Sequence, residues 1–125
     1  VAINLPALVR SLKLQKRAAR VGFDWPDILQ VLEKIDEETR ELVEAKQHLS
    51  QDKINEEFGD LLFSIVNLGR HLGVDSEEAL KKTNRKFIGR FKFVENTILS
   101  QGRDIQSASL EEMEKLWNKA KSLNY

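Results

Sequence analysis

Two amphipathic stretches separated by a very short connection constrain this chain most. Apolar residues recur every three or four positions from Ile28 to Val43 and again from Ile54 to Leu72, which is the period of an α-helix with one apolar face. Only the segment from about His48 to Asp52 lies between them, and helices joined by so short a connection are antiparallel neighbours. The sequence therefore predicts a helical hairpin.

Three further helices are predicted around this hairpin. The first runs from about Leu5 to Arg20 and ends before Gly22, and Pro26 prevents it from continuing. Capping signatures at 75–78 and 109–112 open a fourth helix that reaches about Ser100 and a fifth that ends near Leu123. No segment predicts a strand. We therefore expect an all-α protein, an antiparallel helical bundle of about five helices in a single domain covering residues 1–125.

The composition excludes several classes of protein. Lys and Arg number 20 and so do Asp and Glu, so no broad basic field attracts nucleic acid. There is no cysteine, which excludes a disulfide framework and agrees with a reducing cytoplasm, and no apolar run is long enough to span a membrane. Because Met113 is the only methionine, we expect the chain to be processed or cut from a longer one.

Each helix of the predicted hairpin carries two carboxylates three residues apart. Glu38 with Glu41, and Glu57 with Asp60, each share one helix face, because positions i and i+3 are neighbours on a helix. The face of Glu57 and Asp60 flanks an apolar stripe and continues along the helix to positions 64, 67 and 71. With the hairpin midpoint near Ser50, the two pairs lie within about 3 Å of the same height. Four carboxylates are therefore predicted to converge.

Such a cluster predicts a bound cation, because four negative charges repel one another unless protons or a metal ion neutralise them. Hard oxygen ligands favour Mg²⁺, Mn²⁺ or Ca²⁺, and we take Mg²⁺ as the expected ion, for which Mn²⁺ could substitute. Mg²⁺ often completes its shell with substrate phosphates, which indicates a phosphorylated substrate. The competing interpretation is that each pair is an ordinary solvated face, as most acidic pairs at helical spacing are.

Basic residues near these positions suit a phosphate group. Lys34 and Lys53 each lie one turn before a carboxylate pair, and Lys86 and Arg90 form a row along the predicted fourth helix. Arginine binds phosphate by paired hydrogen bonds and lysine as a mobile charge. Pairing with glutamates, or simple solvation, remains the alternative for each.

The acidic motif, Glu37-Glu38-x-x-Glu41 followed by Glu57-x-x-Asp60, resembles the signature of the all-α nucleoside triphosphate pyrophosphohydrolases, and specifically MazG. The resemblance covers essentially the whole chain and is to the C-terminal domain of two-domain MazG proteins. Segments that carry it include Val21-Gly22-Phe23-Asp24-Trp25, Gly59-Asp60-Leu61-Leu62-Phe63 and Asn84-Arg85-Lys86-Phe87-Ile88-Gly89-Arg90-Phe91.

This resemblance implies an enzyme that converts nucleoside triphosphates into monophosphates and pyrophosphate with Mg²⁺, as an intertwined cytoplasmic homodimer that clears unwanted nucleotides. The metal ligands and catalytic residues implied are Glu38, Glu41, Glu57 and Asp60. The implied nucleotide-binding residues are Lys34, Glu37, Lys53, Glu56, Lys86, Arg90, Trp117 and Lys121. Gln15, Phe23 and Trp25 could help to select the base, although each has an ordinary structural explanation, as has Trp117 in a packed core.

In the mechanism that we expect, a glutamate such as Glu41 orients or deprotonates the attacking water, and basic side chains neutralise the departing pyrophosphate. Two alternatives remain open. One is a pyrophosphatase restricted to one base, such as a dUTP or dCTP hydrolase. The other is a non-catalytic metal-binding module for dimerisation or regulation, with Lys13, Lys16, Arg17 and Arg20 contacting a protein or nucleic acid.

Overall fold

The structure, a computed structural model, describes residues 1–48 and 50–125, and this part of the protein consists of helices joined by short connections. Within that part it has no strand, which confirms the all-α prediction. Among residues 1–48 and 50–125, no helix is both long enough and apolar enough to cross a membrane. A short 3₁₀ helix, Ile105–Ser107, precedes the last of the α-helices, which are α1 (Ala7–Arg20), α2 (Ile28–Ala45), α3 (Gln51–His71), α4 (Ser76–Ser100) and α5 (Leu110–Ser122).

Side-chain caps fix where several helices begin. Asp27 caps α2 by accepting hydrogen bonds from the main-chain nitrogens of Leu29 at 2.9 Å and Gln30 at 3.2 Å. Asp75 and Ser109 accept equivalent bonds at the starts of α4 and α5, as their sequence signatures predict. These caps satisfy amide groups that the first turn of a helix leaves without partners.

The chain divides into two compact units, Val1–Ala79 and Leu80–Tyr125. In the first unit, α3 packs against both α2 and α1. Val31 of α2 and Val66 of α3 are almost completely buried there. A hydrogen bond of 2.9 Å from Gln15 Nε2 to the main-chain oxygen of Phe63 joins α1 to α3.

The buried face of α3 differs from the one that apolar periodicity predicts. Phe58 and Ile65 belong to the expected core stripe, but they are 50% and 44% exposed. Ser64 and Asn67, on the flank, are buried instead. Their burial is tolerated because each side chain has a hydrogen-bond partner, which removes most of the cost of taking a polar group out of water.

The turn between α3 and α4 depends on two glycines. Gly73 has a φ of +70°, in the left-handed region that side chains disfavour. A Cβ at Gly69 would lie 2.9 Å from Ser76 Oγ and 3.3 Å from the main-chain oxygen of Val74. A side chain at position 69 would therefore require the Ser76 hydroxyl to rotate away and the main-chain oxygen of Val74 to shift slightly.

The second unit contains most of α4, the 3₁₀ helix and α5. Its buried residues are Val94, Ile98 and Ala120. The rings of Phe93 and Tyr125 meet at a centroid distance of 5.2 Å, which joins the end of the chain to α4.

Candidate functional site

Glu38 is the predicted metal ligand with the most closely defined surroundings. Its side chain is only 12% exposed and accepts a hydrogen bond of 2.9 Å from Ser64 Oγ on α3. Lys34, one turn earlier on α2, places its Nζ 3.8 Å from the same carboxylate. Glu38 is therefore held between a hydroxyl and an ammonium group at the contact between α2 and α3.

The bond from Ser64 to Glu38 fixes the register of the hairpin. Asp60 and Glu57 lie one and two turns before Ser64 on the same face of α3, and Glu41 lies one turn after Glu38 on α2. All four carboxylates therefore lie along one seam between the helices. The bond places the midpoint of the hairpin about one residue later than Ser50. Measured along the helix axes, the centres of the two carboxylate pairs are therefore about 6 Å apart and not about 3 Å as expected. Glu41 and Asp60 are the two at nearly equal height.

The carboxylates are not gathered into a cage in this structure. Among residues 1–48 and 50–125, no three Asp, Glu or His side chains are close enough to hold a metal ion between them. Glu41 and Asp60 are exposed, and Glu57 is half-buried. The donors are nevertheless the oxygen type that Mg²⁺ prefers, and the rotatable bonds of these side chains let them turn along the seam. The donor atoms of these residues are thus of the type that binds Mg²⁺, and the set of four ligands stays a prediction.

Two of the other predicted binding residues in the first unit pair with each other. Lys53 Nζ lies 3.3 Å from Glu56 Oε2, one turn apart on α3, and both side chains are more than 60% exposed. Glu37 is exposed on α2. An exposed pair of this kind contributes little to stability, so Lys53 can exchange its partner for a phosphate at small cost.

In the second unit, Arg90 and Trp117 are in direct contact. The Arg90 guanidinium lies 5.6 Å from the Trp117 ring centroid, and its Nε donates a 3.1 Å hydrogen bond to the main-chain oxygen of Tyr125. Phe87 also packs against Trp117, and the centroids of the two rings are 5.3 Å apart. Trp117 therefore has the ordinary packing role that we considered, and Arg90 is oriented by it. The remaining two predicted residues, Lys86 and Lys121, are exposed.

A cavity of about 520 Å³ lies between α1, α3 and the segment that joins α1 to α2. Its apolar walls include Leu14, Ala18, Phe23, Trp25 and Phe63, and its polar walls include Gln15, Asp24, Ser64, Asn67 and Arg70. Arg70 and Asn67 were not predicted from the sequence as pocket residues, because the other walls of the pocket come from α1 and from the segment after it.

Asp24 anchors the joining segment to α3. Its carboxylate accepts a 3.0 Å hydrogen bond from Arg70 Nη1, and its Oδ1 lies 3.2 Å from His71 Nε2. The hydrogen bond from Arg70, assisted by His71, lowers the pKa of Asp24 below its ordinary value of 3.8. His71 thus takes part in the hydrogen bonding of Asp24.

Comparison with known proteins identifies the family of this chain. Residues 27–94 match the family model for the MazG nucleotide pyrophosphohydrolase domain. The chain is 48% identical over 120 residues to the nucleoside triphosphate pyrophosphohydrolase of Escherichia coli K12, which covers 94% of this chain and 46% of that protein. It is 49% identical over 117 residues to the nucleoside triphosphate pyrophosphohydrolase/pyrophosphatase MazG of Thermotoga maritima, covering 94% of this chain and 45% of that one.

A third relative is matched over a shorter region. It is the Bacillus subtilis protein named "Uncharacterized protein YabN", which is 46% identical to this chain over 71 residues. That region covers 57% of this chain and 14% of YabN. The chain thus spans just under half the length of the first two relatives and a small part of the third.

Proposed function

Because the chain belongs to the MazG nucleotide pyrophosphohydrolase family, we propose that it hydrolyses nucleoside triphosphates to nucleoside monophosphates and pyrophosphate. The observation that carries this proposal is that the family match, residues 27–94, includes the whole α2–α3 hairpin with its four carboxylates. The E. coli and T. maritima relatives are named for the same reaction. Acting on ribo- or deoxyribonucleotides in the cytoplasm, such an enzyme would remove unwanted nucleotides.

We propose that Glu38, Glu41, Glu57 and Asp60 hold Mg²⁺, for which Mn²⁺ could substitute. When bound, the ion would neutralise phosphate charge and acidify a water molecule. The support is the chemistry of the donors, four carboxylates along one seam, together with the position of Glu38, which Ser64 holds by a 2.9 Å hydrogen bond.

The other roles follow from exposure and charge. Glu41 is exposed and lies at nearly the same height along the hairpin as Asp60. We propose that it accepts a proton from the attacking water there. Lys34 is 40% exposed and can turn from Glu38 towards a phosphate oxygen. The further nucleotide contacts that we propose are Glu37, Lys53, Glu56, Lys86, Arg90, Trp117 and Lys121.

We also propose that the protein is a homodimer formed through α3. Phe58, Leu62 and Ile65 follow one another at helical spacing and are 50%, 42% and 44% exposed. An apolar stripe of this kind on a surface is typical of a protein interface, and identical chains most often associate by two-fold symmetry.

The activity is tested by incubating the protein with each common ribo- and deoxyribonucleoside triphosphate plus Mg²⁺ and quantifying pyrophosphate. Glu38→Gln should abolish its release without changing the helical circular dichroism signal, whereas Glu33→Gln, at an exposed position of α2, should behave as the wild type. Wild-type release from one base alone would instead identify a restricted enzyme, such as a dUTP or dCTP hydrolase. No release from any nucleotide would refute the proposal and favour a non-catalytic module.

A further inference from the structure

Arg90, one of the proposed nucleotide contacts, is held by the segment that follows α5. Its Nε donates a 3.1 Å hydrogen bond to the main-chain oxygen of Tyr125, 35 residues later in the chain. Its guanidinium also lies 5.6 Å from the centroid of the Trp117 ring. At such a distance the face of an aromatic ring attracts a guanidinium. Arg90 is thus restrained by two contacts, both within the second unit.

These contacts leave Arg90 the donors that a phosphate needs. A guanidinium donates through its Nε and through its two Nη atoms. Neither Nη atom has a hydrogen-bond or ion-pair partner within residues 1–48 and 50–125. Two Nη atoms side by side match two oxygens of one phosphate group. Because the bond to Tyr125 uses Nε, it orients the side chain without occupying that edge.

The end of α5 explains the position of Tyr125. Just after the helix, Asn124 has a φ of +65°, in the left-handed region that asparagine enters more readily than most residues. The main-chain N–H of Asn124 donates to the oxygen of Lys121 at 3.1 Å. The main-chain N–H of Tyr125 donates to the oxygen of Ala120, also at 3.1 Å. This pair of bonds is the Schellman arrangement, which closes a helix and redirects the chain.

The redirected segment is attached to α4 as well as to α5. Ala120, which accepts the bond from Tyr125, is completely buried. The ring of Tyr125 packs against that of Phe93, with the two centroids 5.2 Å apart. Since Phe93 lies three residues after Arg90, the two residues are neighbours on the surface of α4. Tyr125 therefore contacts α4 through its ring and its carbonyl together.

Restraining Arg90 in this way favours binding. A free arginine side chain adopts many rotamers, and holding it in one of them against a phosphate costs entropy. The contact with Trp117 limits how far the guanidinium moves, and the directional bond to Tyr125 fixes its rotation. Both contacts exist before a ligand arrives, so part of the ordering is already complete in the free protein.

We propose that Tyr125 is a positioning residue for Arg90, and that the turn at Asn124 thereby controls how tightly the phosphates of the nucleotide are bound. This inference rests on the proposed function, in which Arg90 contacts the nucleotide. It adds to that function two residues that touch no substrate and act through the conformation of the main chain after α5.

The test changes the conformation at position 124 and leaves Tyr125 in place. Asn124→Val introduces a β-branched side chain at a φ of +65°, which such residues strongly disfavour, whereas Asn124→Gly keeps the turn. Asn124 is exposed, so neither variant removes a buried group. Asn118→Val is the matched control, because it introduces the same side chain at an exposed position within α5. Circular dichroism would verify folding.

Two quantities are measured on each protein. Calorimetry with Mg²⁺ present gives the affinity for inorganic triphosphate, a probe that carries the phosphates without a base. NMR gives the rate at which the Arg90 Nε–H hydrogen exchanges with water, and Arg90→Lys identifies this signal by its absence. We expect Asn124→Val to bind triphosphate about three- to tenfold more weakly than the wild type and to exchange this hydrogen about tenfold faster. Asn118→Val should match the wild type in both, and Asn124→Gly should retain most of the affinity.

The same change made in Arg90→Lys separates positioning from general damage to the fold. Lysine has no Nε–H edge for the carbonyl of Tyr125, so Asn124→Val should cause no further loss of affinity in that protein. An equal loss with and without Arg90 would overturn the proposal. So would unchanged triphosphate affinity in a variant whose Arg90 Nε–H exchanges faster.

Tyr125→Ala, which removes the ring contact with Phe93, is the second variant. If neither Tyr125→Ala nor Asn124→Val accelerates the exchange, Tyr125 does not hold Arg90 and the proposal is wrong.

Pyrophosphate release from nucleoside triphosphates distinguishes this inference from the proposed function. In Asn124→Val the KM for the nucleotide should rise while kcat changes less, because the lost restraint acts on binding. Release by the wild type with an unchanged KM and unchanged exchange in the variants refutes the positioning role alone. No release from any nucleotide, together with the expected effects on triphosphate affinity and exchange, refutes the proposed function alone.

Discussion

Ser64 and Glu38 are 26 residues apart in the chain and meet through one hydrogen bond at the contact between α2 and α3. The hydroxyl is buried and the carboxylate nearly so. A hydrogen bond to a charged group in such a position contributes about 1.5–3 kcal/mol, and part of that energy serves to keep the carboxylate in one orientation. Ser64 is therefore a positioning residue in the proposed reaction.

Replacing Ser64 by alanine should lower kcat for pyrophosphate release about tenfold, because a loss of about 1.4 kcal/mol of orientation energy corresponds to one order of magnitude in rate. KM should change less, since Ser64 donates to a proposed metal ligand. Ser100→Ala is the control, because its hydroxyl bonds only the main-chain oxygen of Thr97 at 2.7 Å on an exposed turn. An unchanged kcat in Ser64→Ala would show that Glu38 needs no support.

Asp24 contributes a pH-dependent part of the stability. Its pKa is lowered in the folded protein, first by the hydrogen bond from Arg70, so the folded state favours the ionised carboxylate more than the unfolded state does. That contribution is fully present above the unfolded pKa and is lost as the pH falls through the lowered folded value. We expect Asp24→Asn to melt at a lower temperature than the wild type at pH 7.

The difference in melting temperature should shrink as the pH falls below about 4, because Asp24 then takes up a proton in the unfolded chain while it is still ionised in the folded protein. It reaches its minimum once the pH has passed the lowered folded pKa, where position 24 is neutral in both proteins. Thermal unfolding of the two proteins at pH 7, 5 and 3 measures this. A difference that stays constant across this range would mean that the Asp24 side chain stabilises the fold by packing and not by its charge.

Among the elements, the hairpin was predictable because its signals are local. Caps, glycines and the helical period define α2 to α5 to within a few residues, and Asp75 and Ser109 cap the helices that their signatures announced. The first helix begins at Ala7 instead of Leu5, after Pro6. The 3₁₀ helix was not predicted, since three residues carry no period.

The buried face of α3 was not predictable in the same way. Apolar periodicity identifies a face that avoids water, but it does not tell which partner covers it. Ser64 is buried against Glu38, a partner that the tertiary fold brings from α2. Asn67 is paired with Arg70 one turn later on α3, and Arg70 in turn is held by Asp24 from outside that helix. The distance between the two carboxylate pairs along the helix axes also depended on the register of the hairpin. Moving the hairpin midpoint by one residue shifts the position of each helix by about 1.5 Å.

The start of α2 offers a test at this scale. Asp27→Ala removes the cap that accepts two main-chain hydrogen bonds, and such a loss costs about 1 kcal/mol of folding free energy. Urea unfolding followed by circular dichroism should show a lower midpoint with an unchanged slope. Glu33→Ala, exposed in the middle of the helix, should stay within about 0.5 kcal/mol of the wild type. Equal midpoints for all three proteins would contradict the capping role.

For the molecule as a whole, the exposed stripe of α3 bears on how many chains associate. Leu62→Glu places a charge in the middle of that stripe, and a buried unpaired charge is strongly unfavourable at an interface. Light scattering should find a dimer for the wild type and a monomer, or a dimer that forms only at much higher concentration, for Leu62→Glu.

Leu99→Glu is the matched control, because Leu99 on α4 is 61% exposed and lies outside the stripe. It should remain dimeric. A monomeric wild type would refute the dimer, and a dimer lost only in Leu99→Glu would assign the interface to a different helix.

Arg70 can only donate hydrogen bonds, so it decides which end of the Asn67 amide is left for the cavity, and Asp24 in the connection after α1 keeps Arg70 in place. The hydrogen-bonding group that Asn67 presents in the cavity wall is thus determined by Asp24, in the connection after α1. A substitution at position 24 that releases Arg70 would free the Asn67 amide to rotate and would invert the polarity of this wall, with no change in the sequence of α3.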